Sequence, residues 1–286
     1  MARRTNLNLT LRGSRAMAAA FALLLAACQT QPTTFGKSED IDPAAASAVN
    51  IDSLSAAIQQ NPGDANAFNV RGTAYGRAGK FKDALGDFDA AIKINPSFYQ
   101  AYANRALVQR KLGRDSAALN DYNTAIQINA SYAKAYVGRG NIYWKGEKTD
   151  LALADLDEAI KLDPNDPDAY QNRGLIKQNL GQYKQAIDDF TKVISLSPGR
   201  AEPFDGRGVA YLATGDYKAA LEDFNEAVKR DGSSYVAWVH QGLALEKLGM
   251  RDKAFSAFAH ASALSPNYKP AIEGVRRTSV APSRST

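Results

Sequence analysis

A pattern of 34 residues recurs six times between residues 65 and 268 without a single insertion. Numbered within each copy, an aromatic residue stands at position 4, a small residue at 8 and Ala at 20. Position 24 is usually Phe or Tyr, as in Phe68, Gly72, Ala84 and Phe88 of the first copy. The apolar positions in each half fall three or four residues apart, which predicts two amphipathic helices per copy. We therefore expect a stack of helical hairpins that bury their apolar stripes against one another.

The periodicity also predicts the domain boundaries. The six repeats occupy residues 65–98, 99–132, 133–166, 167–200, 201–234 and 235–268. Residues 51–64 match the second half of a repeat and predict an N-terminal capping half-repeat, and residues 269–277 predict a C-terminal capping helix. The polar residues 278–286 predict a disordered tail.

The pattern resembles the tetratricopeptide (TPR) repeat, which has the same period, with Gly or Ala at position 8, Ala at 20 and 27, and Pro near position 32. The resemblance implies an all-α fold, a right-handed superhelical TPR solenoid. It also implies that the first helices of the hairpins line a concave groove that holds extended peptides or partner helices.

The first 28 residues predict export. Four arginines precede an apolar run from Met17 to Ala27, which is too short to span a membrane but typical of a secretory signal. The run ends in Leu25, Ala26, Ala27 and Cys28, which resembles the lipobox of bacterial lipoproteins. The resemblance implies cleavage after residue 27, with diacylglycerol and an N-acyl chain on Cys28. An ordinary leader that ends near a cysteine is the alternative.

These features predict where the protein acts. Residues 28–50 would be the lipidated cysteine and a flexible tether, and Gln29 favours an outer-membrane lipoprotein that faces the periplasm of a Gram-negative bacterium. Loss of residues 1–27 removes four basic residues and no acids, so the formal charge falls from +5 to +1. Nucleic-acid binding therefore loses its main support.

Positions 7 and 23 vary together. Position 7, usually aliphatic in TPR proteins, is Arg in five repeats, and position 23 is Asp in the same five; in the sixth repeat they are Gln241 and Ala257. We infer a structural ladder of pairs, with ligand binding as the alternative, because a partly buried arginine needs a carboxylate partner. The ladder residues are Arg71, Arg105, Arg139, Arg173 and Arg207 with Asp87, Asp121, Asp155, Asp189 and Asp223.

The opposite face of the first helices is the candidate binding groove, which we predict to be exposed. Its charge is uneven, with cations in repeats one to three and acids, with apolar residues, in repeats four to six. A groove of this kind could fix the direction of a bound chain, although a merely solvated charged face is the alternative. The candidate residues are Asn69, Arg77, Asn104, Arg110, Lys111, Lys134, Asn141, Trp144, Lys145, Asp168, Glu202, Asp205, Leu212, Val239 and Leu243.

Three further features bear on this groove. Asn104 and Lys134 match two positions of the carboxylate clamp of chaperone-binding TPR domains, whereas Asn69, Thr73 and Gly138 depart from it. Trp144 could anchor a partner or pack on the next repeat, and Trp238 is predicted to lie in the core. We expect both histidines, His240 and His260, to be solvated, and the sequence predicts neither a metal site nor a catalytic one.

The sequence thus predicts a non-enzymatic adaptor of the cell envelope without a cofactor, similar in architecture to NlpI-type lipoproteins. Its partners would be envelope proteins or extended peptides, for example a protease or peptidoglycan hydrolase, and a homodimer stays open. One alternative resembles the pilotin-like lipoproteins that assemble a type IV or Tad pilus secretin. Another is a protein that binds peptidoglycan or another glycan.

Overall fold

The computed structural model describes residues 48–279, with side chains from residue 51. This part of the chain holds fourteen α-helices and no strand. In chain order they are α1 Ala48–Gln60, α2 Ala65–Arg77, α3 Phe81–Ile94, α4 Tyr99–Lys111, α5 Asp115–Ile128, α6 Ala133–Lys145, α7 Thr149–Leu162, α8 Pro167–Asn179, α9 Tyr183–Leu196, α10 Glu202–Thr214, α11 Tyr217–Arg230, α12 Tyr235–Lys247, α13 Arg251–Leu264 and α14 Lys269–Ser279. The predicted all-α fold is confirmed.

The described residues form two compact units, an N-terminal unit of residues 48–231 and a C-terminal unit of residues 232–279. In the N-terminal unit α1 is followed by five antiparallel helical hairpins, α2/α3 to α10/α11. The first helices α2, α4, α6, α8 and α10 contact one another in that order. Their side chains therefore form one continuous face.

A left-handed residue at position 15 turns the chain between the two helices of a hairpin. In the N-terminal unit Gly79, Gly113, Gly181 and Gly215 have φ between +72° and +87°. Glycine adopts this conformation without steric cost, which is why helices commonly end at one. Repeat three has Glu147 at this position, with φ +58°, and it is the one described non-glycine residue with a positive φ.

The core of each hairpin consists of the alanines at positions 20 and 27 and the large residue at position 24. Phe88, Tyr122, Leu156, Phe190 and Phe224 occupy position 24 in the N-terminal unit and are at most 3% exposed. In repeats one, three, four and five the side chain at position 24 packs on the glycine at position 8: a Cβ added to Gly208 would lie 2.7 Å from Phe224 Cε1. This contact explains glycine in mid-helix, where it otherwise costs about 1 kcal/mol.

The N-terminal unit begins three residues earlier than predicted, because α1 starts at Ala48, within the predicted tether. Ile51 and Ile58 of α1 are 8% exposed. They give the first repeat an apolar partner, as a cap requires.

The C-terminal unit contains the hairpin α12/α13 and the helix α14, which contacts both. This helix corrects the predicted start of the tail at residue 278, because Thr278 and Ser279 continue the helix and Thr278 is buried. Arg251 Nε donates to the carbonyl of Thr278 at 2.9 Å, and Thr278 Oγ1 donates to the carbonyl of Gly274 at 2.7 Å. These bonds satisfy carbonyl groups at the end of the helix.

Candidate functional site

The arginines at position 7 bind the aspartates at position 23 of the same repeats. Arg139 Nε donates to Asp155 Oδ2 at 2.8 Å and its Nη2 donates to Oδ1 at 2.7 Å. The same two-bond geometry joins Arg71 to Asp87, Arg105 to Asp121, Arg173 to Asp189 and Arg207 to Asp223, with Nη2–Oδ1 distances of 2.6–2.8 Å. Such paired bonds are the strong form of the arginine–carboxylate interaction.

Each of these arginines also binds the preceding repeat, which the sequence analysis missed. Arg139 Nη1 donates to Asn123 Oδ1 at 2.8 Å, sixteen residues earlier in the chain. The corresponding acceptors of the other four arginines lie at position 25: Ser55, Asp89, Asp157 and Thr191. These side chains have in common only an oxygen atom that accepts a hydrogen bond. Because no single residue type occupies position 25 in all five cases, the sequence pattern did not reveal them.

The hydrogen bonds of this ladder keep the arginine side chains protonated and bound to their aspartates. The hydrogen bond to the paired aspartate raises the pKa of Arg71, Arg105, Arg139 and Arg207, against the opposing effect of burial. In repeat four Lys177 Nζ lies 2.9 Å from Asp189 Oδ2 as a second cation. All three guanidinium nitrogens of each ladder arginine thus donate to side chains within the stack, which supports a structural role.

The predicted groove face is less exposed than expected. Asn69, Asn141, Leu212 and Val239 are buried, at 9% exposure or less. The half-buried members are Arg77, Asn104, Arg110, Trp144, Asp168, Asp205 and Leu243, and the exposed ones are Lys111, Lys134, Lys145 and Glu202. In the N-terminal unit the contacts between successive first helices cover the inner positions, so charge reaches solvent mainly at positions 2 and 13, near the helix ends.

Two of the charged groove residues form ion pairs, one with the preceding repeat and one within its own repeat. Lys145 Nζ lies 2.5 Å from Asp115 Oδ2, and Asp168 Oδ1 accepts from Arg200 Nη1 at 2.8 Å. Arg200 Nε also lies 3.9 Å from Glu202 Oε2. The basic and acidic parts of this face are thus partly neutralised by pairs that sequence reasoning did not identify.

Amide side chains occupy the face in the first two repeats. Asn104 Nδ2 donates to Asn69 Oδ1 at 3.0 Å and lies 3.4 Å from Thr73 Oγ1. These three residues occupy clamp positions but bind one another. Their arrangement therefore differs from a row of cations and amides that point at a ligand carboxylate.

The histidines and tryptophans differ in exposure. His240 was expected to be solvated but is 6% exposed, whereas His260 is exposed. Trp238, predicted to lie in the core, is half-buried; its Nε1 donates to the carbonyl of Gly232 at 2.9 Å and its ring centroid lies 4.3 Å from that of His260. Trp144 is half-buried and packs on the cluster that includes Val137 and Ile176.

Within residues 48–279 no group of three or more His, Cys, Asp or Glu side chains is placed to hold a metal ion. No helix in this range is long and apolar enough to cross a membrane. The described residues do not include the predicted lipobox and lipidation site, Leu25, Ala26, Ala27 and Cys28, or residues 280–286.

Three family models match the chain, and all three describe the tetratricopeptide repeat. They cover residues 108–146, 140–203 and 206–268, together more than half of the 286 residues. The repeats of this chain are therefore tetratricopeptide repeats, and the protein belongs to the class of TPR proteins. None of the three models describes a catalytic domain. No curated protein matches the chain in sequence.

Solved structures with the same fold include several TPR proteins. The APC/C hetero-tetramer Cut9-Hcn1 contains a chain that matches with a TM-score of 0.70 and 20% identity over 79% of this chain, and 45% of that chain is covered. PilF of Pseudomonas aeruginosa matches with a TM-score of 0.69 and 19% identity over 79% of this chain and 99% of PilF. PilW, a type IV pilus biogenesis factor, matches with a TM-score of 0.65 and 18% identity over 76% of this chain and 98% of PilW. At these low identities the TM-scores show a shared fold and nothing further.

Proposed function

We propose that this protein is an adaptor that holds protein partners on the face formed by its first helices, which we call the inner face. The observation that carries the proposal is the continuous contact of α2, α4, α6, α8 and α10, which aligns side chains from five repeats on one surface. A long surface of this kind matches an extended chain or a helix better than a small molecule. Exposed cations such as Lys111 and Lys134 would attract an acidic partner.

The proposal includes attachment to the outer membrane, on the periplasmic side, through lipid chains on Cys28. It rests on the order of basic residues, apolar run and Leu25-Ala26-Ala27-Cys28. Several acyl chains give stable anchoring, since each buried methylene contributes about 0.8 kcal/mol. Anchored in this way, the adaptor would recruit envelope proteins, such as a protease or a peptidoglycan hydrolase, to the membrane surface.

Charge reversal tests the inner face. The variant Lys111→Glu with Lys134→Glu is expected to lose cross-linked partners in a pull-down from envelopes of the native host, while its helical signal is unchanged. Its matched control is Lys82→Glu with Lys93→Glu, because both lysines are exposed on the second helix α3. Surface substitutions usually change stability by less than about 0.5 kcal/mol each. If only the α3 variant loses the partners, they bind the second helices and the proposed surface is wrong.

Cys28→Ser tests the anchor. The variant is expected to lose incorporation of an alkyne fatty acid and to move from the membrane fraction to the soluble fraction, because an unacylated chain lacks the apolar anchor. The inner-face pull-down should still work with this variant in detergent-free extracts. Equal fatty-acid incorporation in the wild type and the variant would contradict lipidation at Cys28.

A second candidate function is assembly of a pilus secretin. The chain matches PilF and PilW over 99% and 98% of their lengths, so the whole of each has a counterpart here. Deletion of the gene would then reduce the secretin multimers seen by gel electrophoresis of unboiled envelopes. Unchanged multimers together with loss of another partner would favour the general adaptor.

A further inference from the structure

The turns between the two helices of repeats one and two carry exposed cations. Lys80 immediately precedes α3, Lys82 is the second residue of α3, and Arg114 immediately precedes α5. Within residues 51–279 the side chains of these three residues form no ion pair and no hydrogen bond. Lys80 Nζ lies 5.8 Å from the centroid of the Tyr75 ring, a contact that leaves its charge without a counter-ion. We call Lys80, Lys82 and Arg114 the turn edge.

The acids on the same two turns do not neutralise the turn edge. Asp115 Oδ2 already lies 2.5 Å from Lys145 Nζ. Asp83, in the first turn of α3, is exposed and forms no ion pair among the described residues. The turn edge therefore presents three cations beside one unpaired acid.

The chain that leads into α1 carries the opposite charge. Residues 29–47 contain Glu39, Asp40 and Asp42, three acids within four residues, together with Lys37. Attraction between exposed charges extends over about 10 Å at 0.1 M salt. Complementary charge of this kind directs a chain to one surface rather than another.

The helix α1 places this acidic stretch near the turn edge. Ser55 Oγ accepts from Arg71 Nη1 at 3.0 Å, the contact that second helices make at position 25. The helix α1 thus has the register of a second helix, and its first residue, Ala48, corresponds to Lys82 of α3. Asp42 lies six residues before Ala48, a reach of about 20 Å in extended chain. Packed helices lie about 8–10 Å apart, so this reach covers the turns of repeats one and two.

We infer that residues 39–42 bind the turn edge of their own chain. The three carboxylates supply the counter-charge that Lys80, Lys82 and Arg114 lack among the described residues. Combined with the lipid anchor of the proposed function, on which this consequence rests, the contact leaves residues 29–38 rather than 29–47 between Cys28 and the stack. The r.m.s. span of that chain falls from about 24 Å to about 17 Å. The contact therefore sets how far the inner face reaches from the membrane.

The distance between two nitroxide labels tests the contact. The labels are attached at Ser38→Cys and Ser131→Cys in the full-length Cys28→Ser chain, which has no other cysteine. Ser131 is exposed in the connection after α5, at the other end of that helix from the turn edge. Double electron–electron resonance gives the distance distribution between the labels.

Lys82→Glu with Arg114→Glu is the test variant. We expect the labelled chain with its natural charges to give one narrow distance distribution, and the variant to lose it, because Glu would repel the acidic stretch. Salt at 1 M, which screens charges beyond about 3 Å, should also abolish the narrow distribution. The matched control is Lys184→Glu with Lys218→Glu, exposed at position 18 of repeats four and five, and it should keep the narrow distribution.

A charge swap gives a second measurement. Glu39→Lys with Asp40→Lys, added to the test variant, should restore the narrow distribution. A broad distribution with the natural charges, or a narrow one that the test variant keeps, overturns the contact. So does a narrow distribution that is lost on dilution with unlabelled protein, because the contact would then join two molecules. A distribution that narrows only on phosphatidylglycerol vesicles would assign the turn edge to a lipid surface instead. The inner-face pull-down and the Cys28 labelling test the proposed function separately.

Discussion

At the scale of single residues, the arginines at position 7 illustrate how a charged side chain becomes part of a repeat core. Arg139 uses Nε and Nη2 on Asp155 and Nη1 on Asn123, so three of its donor atoms are engaged. Its guanidinium also lies 5.5 Å from the ring of Tyr136 and 5.8 Å from that of Tyr143. Removal of one partner would therefore leave a partly buried charge.

The Arg139–Asp155 pair gives a prediction on stability. Asp155→Ala should reduce the free energy of unfolding by about 1–3 kcal/mol, the usual cost of unpairing such a group. Arg139→Leu with Asp155→Ala should recover much of this loss, because the aliphatic residue removes the unpaired charge. Denaturant unfolding of the single and double variants gives the coupling energy. Strictly additive effects would show that the pair does not interact.

The sequence predicted the pairing of arginine with aspartate within a repeat but not the hydrogen bonds from these arginines to the preceding repeat. Arg and Asp disappear together in repeat six, so their joint presence indicated contact. The acceptors at position 25 change from Asp89 to Asn123 to Thr191, which hides their common role. Burial of Asn69 and Asn141 was also beyond the sequence, since it depends on how closely successive first helices approach.

At the scale of helices and turns, the 34-residue period predicted the helices of the repeats. The structure differs from the predicted boundaries at the start of α1 and at the end of α14. The end of α14 depends on Arg251, which lies 27 residues before Thr278, so local polarity gave the wrong end. Position 15 shows the converse case. The other repeats have glycine at this position, whereas repeat three has Glu147, and its backbone is left-handed nevertheless.

Glu147→Gly is expected to stabilise the protein by about 1 kcal/mol, because a left-handed conformation costs a residue with a Cβ roughly 1–2 kcal/mol. The gain is reduced by the greater flexibility of glycine in the unfolded chain. Gly113→Glu, at the same position in repeat two with φ +73°, is the reverse control and should destabilise. Thermal melts measure both. A lower melting temperature for Glu147→Gly would contradict strain at this turn.

At the scale of the molecule, the repeats combine a fixed internal scaffold with a variable inner face. Ladder and core residues return at the same positions in repeats one to five, whereas inner-face residues change from repeat to repeat. A surface that changes along a constant scaffold can distinguish the two ends of a bound chain.

Insertion of one glycine between Lys145 and Thr149, in the turn of repeat three, should destabilise more than the same insertion between Lys247 and Arg251 in repeat six. The first shifts Arg139 relative to Asp155, whereas repeat six has Gln241 and Ala257 at the corresponding positions. The difference should be about 1–3 kcal/mol, the cost of the unpaired charge, measured by denaturant unfolding. Equal losses would mean that the ladder does not set the length of the turn.

The ladder also limits how such a chain can change in length. In repeats one to five each arginine has partners sixteen residues before and sixteen residues after it, so one guanidinium fixes the length of the chain on both sides of its helix. A single added or deleted residue in either connection breaks a bond. Growth or shortening by a whole copy restores every spacing, so within repeats one to five the length of the binding surface changes without a broken ladder bond in complete 34-residue steps.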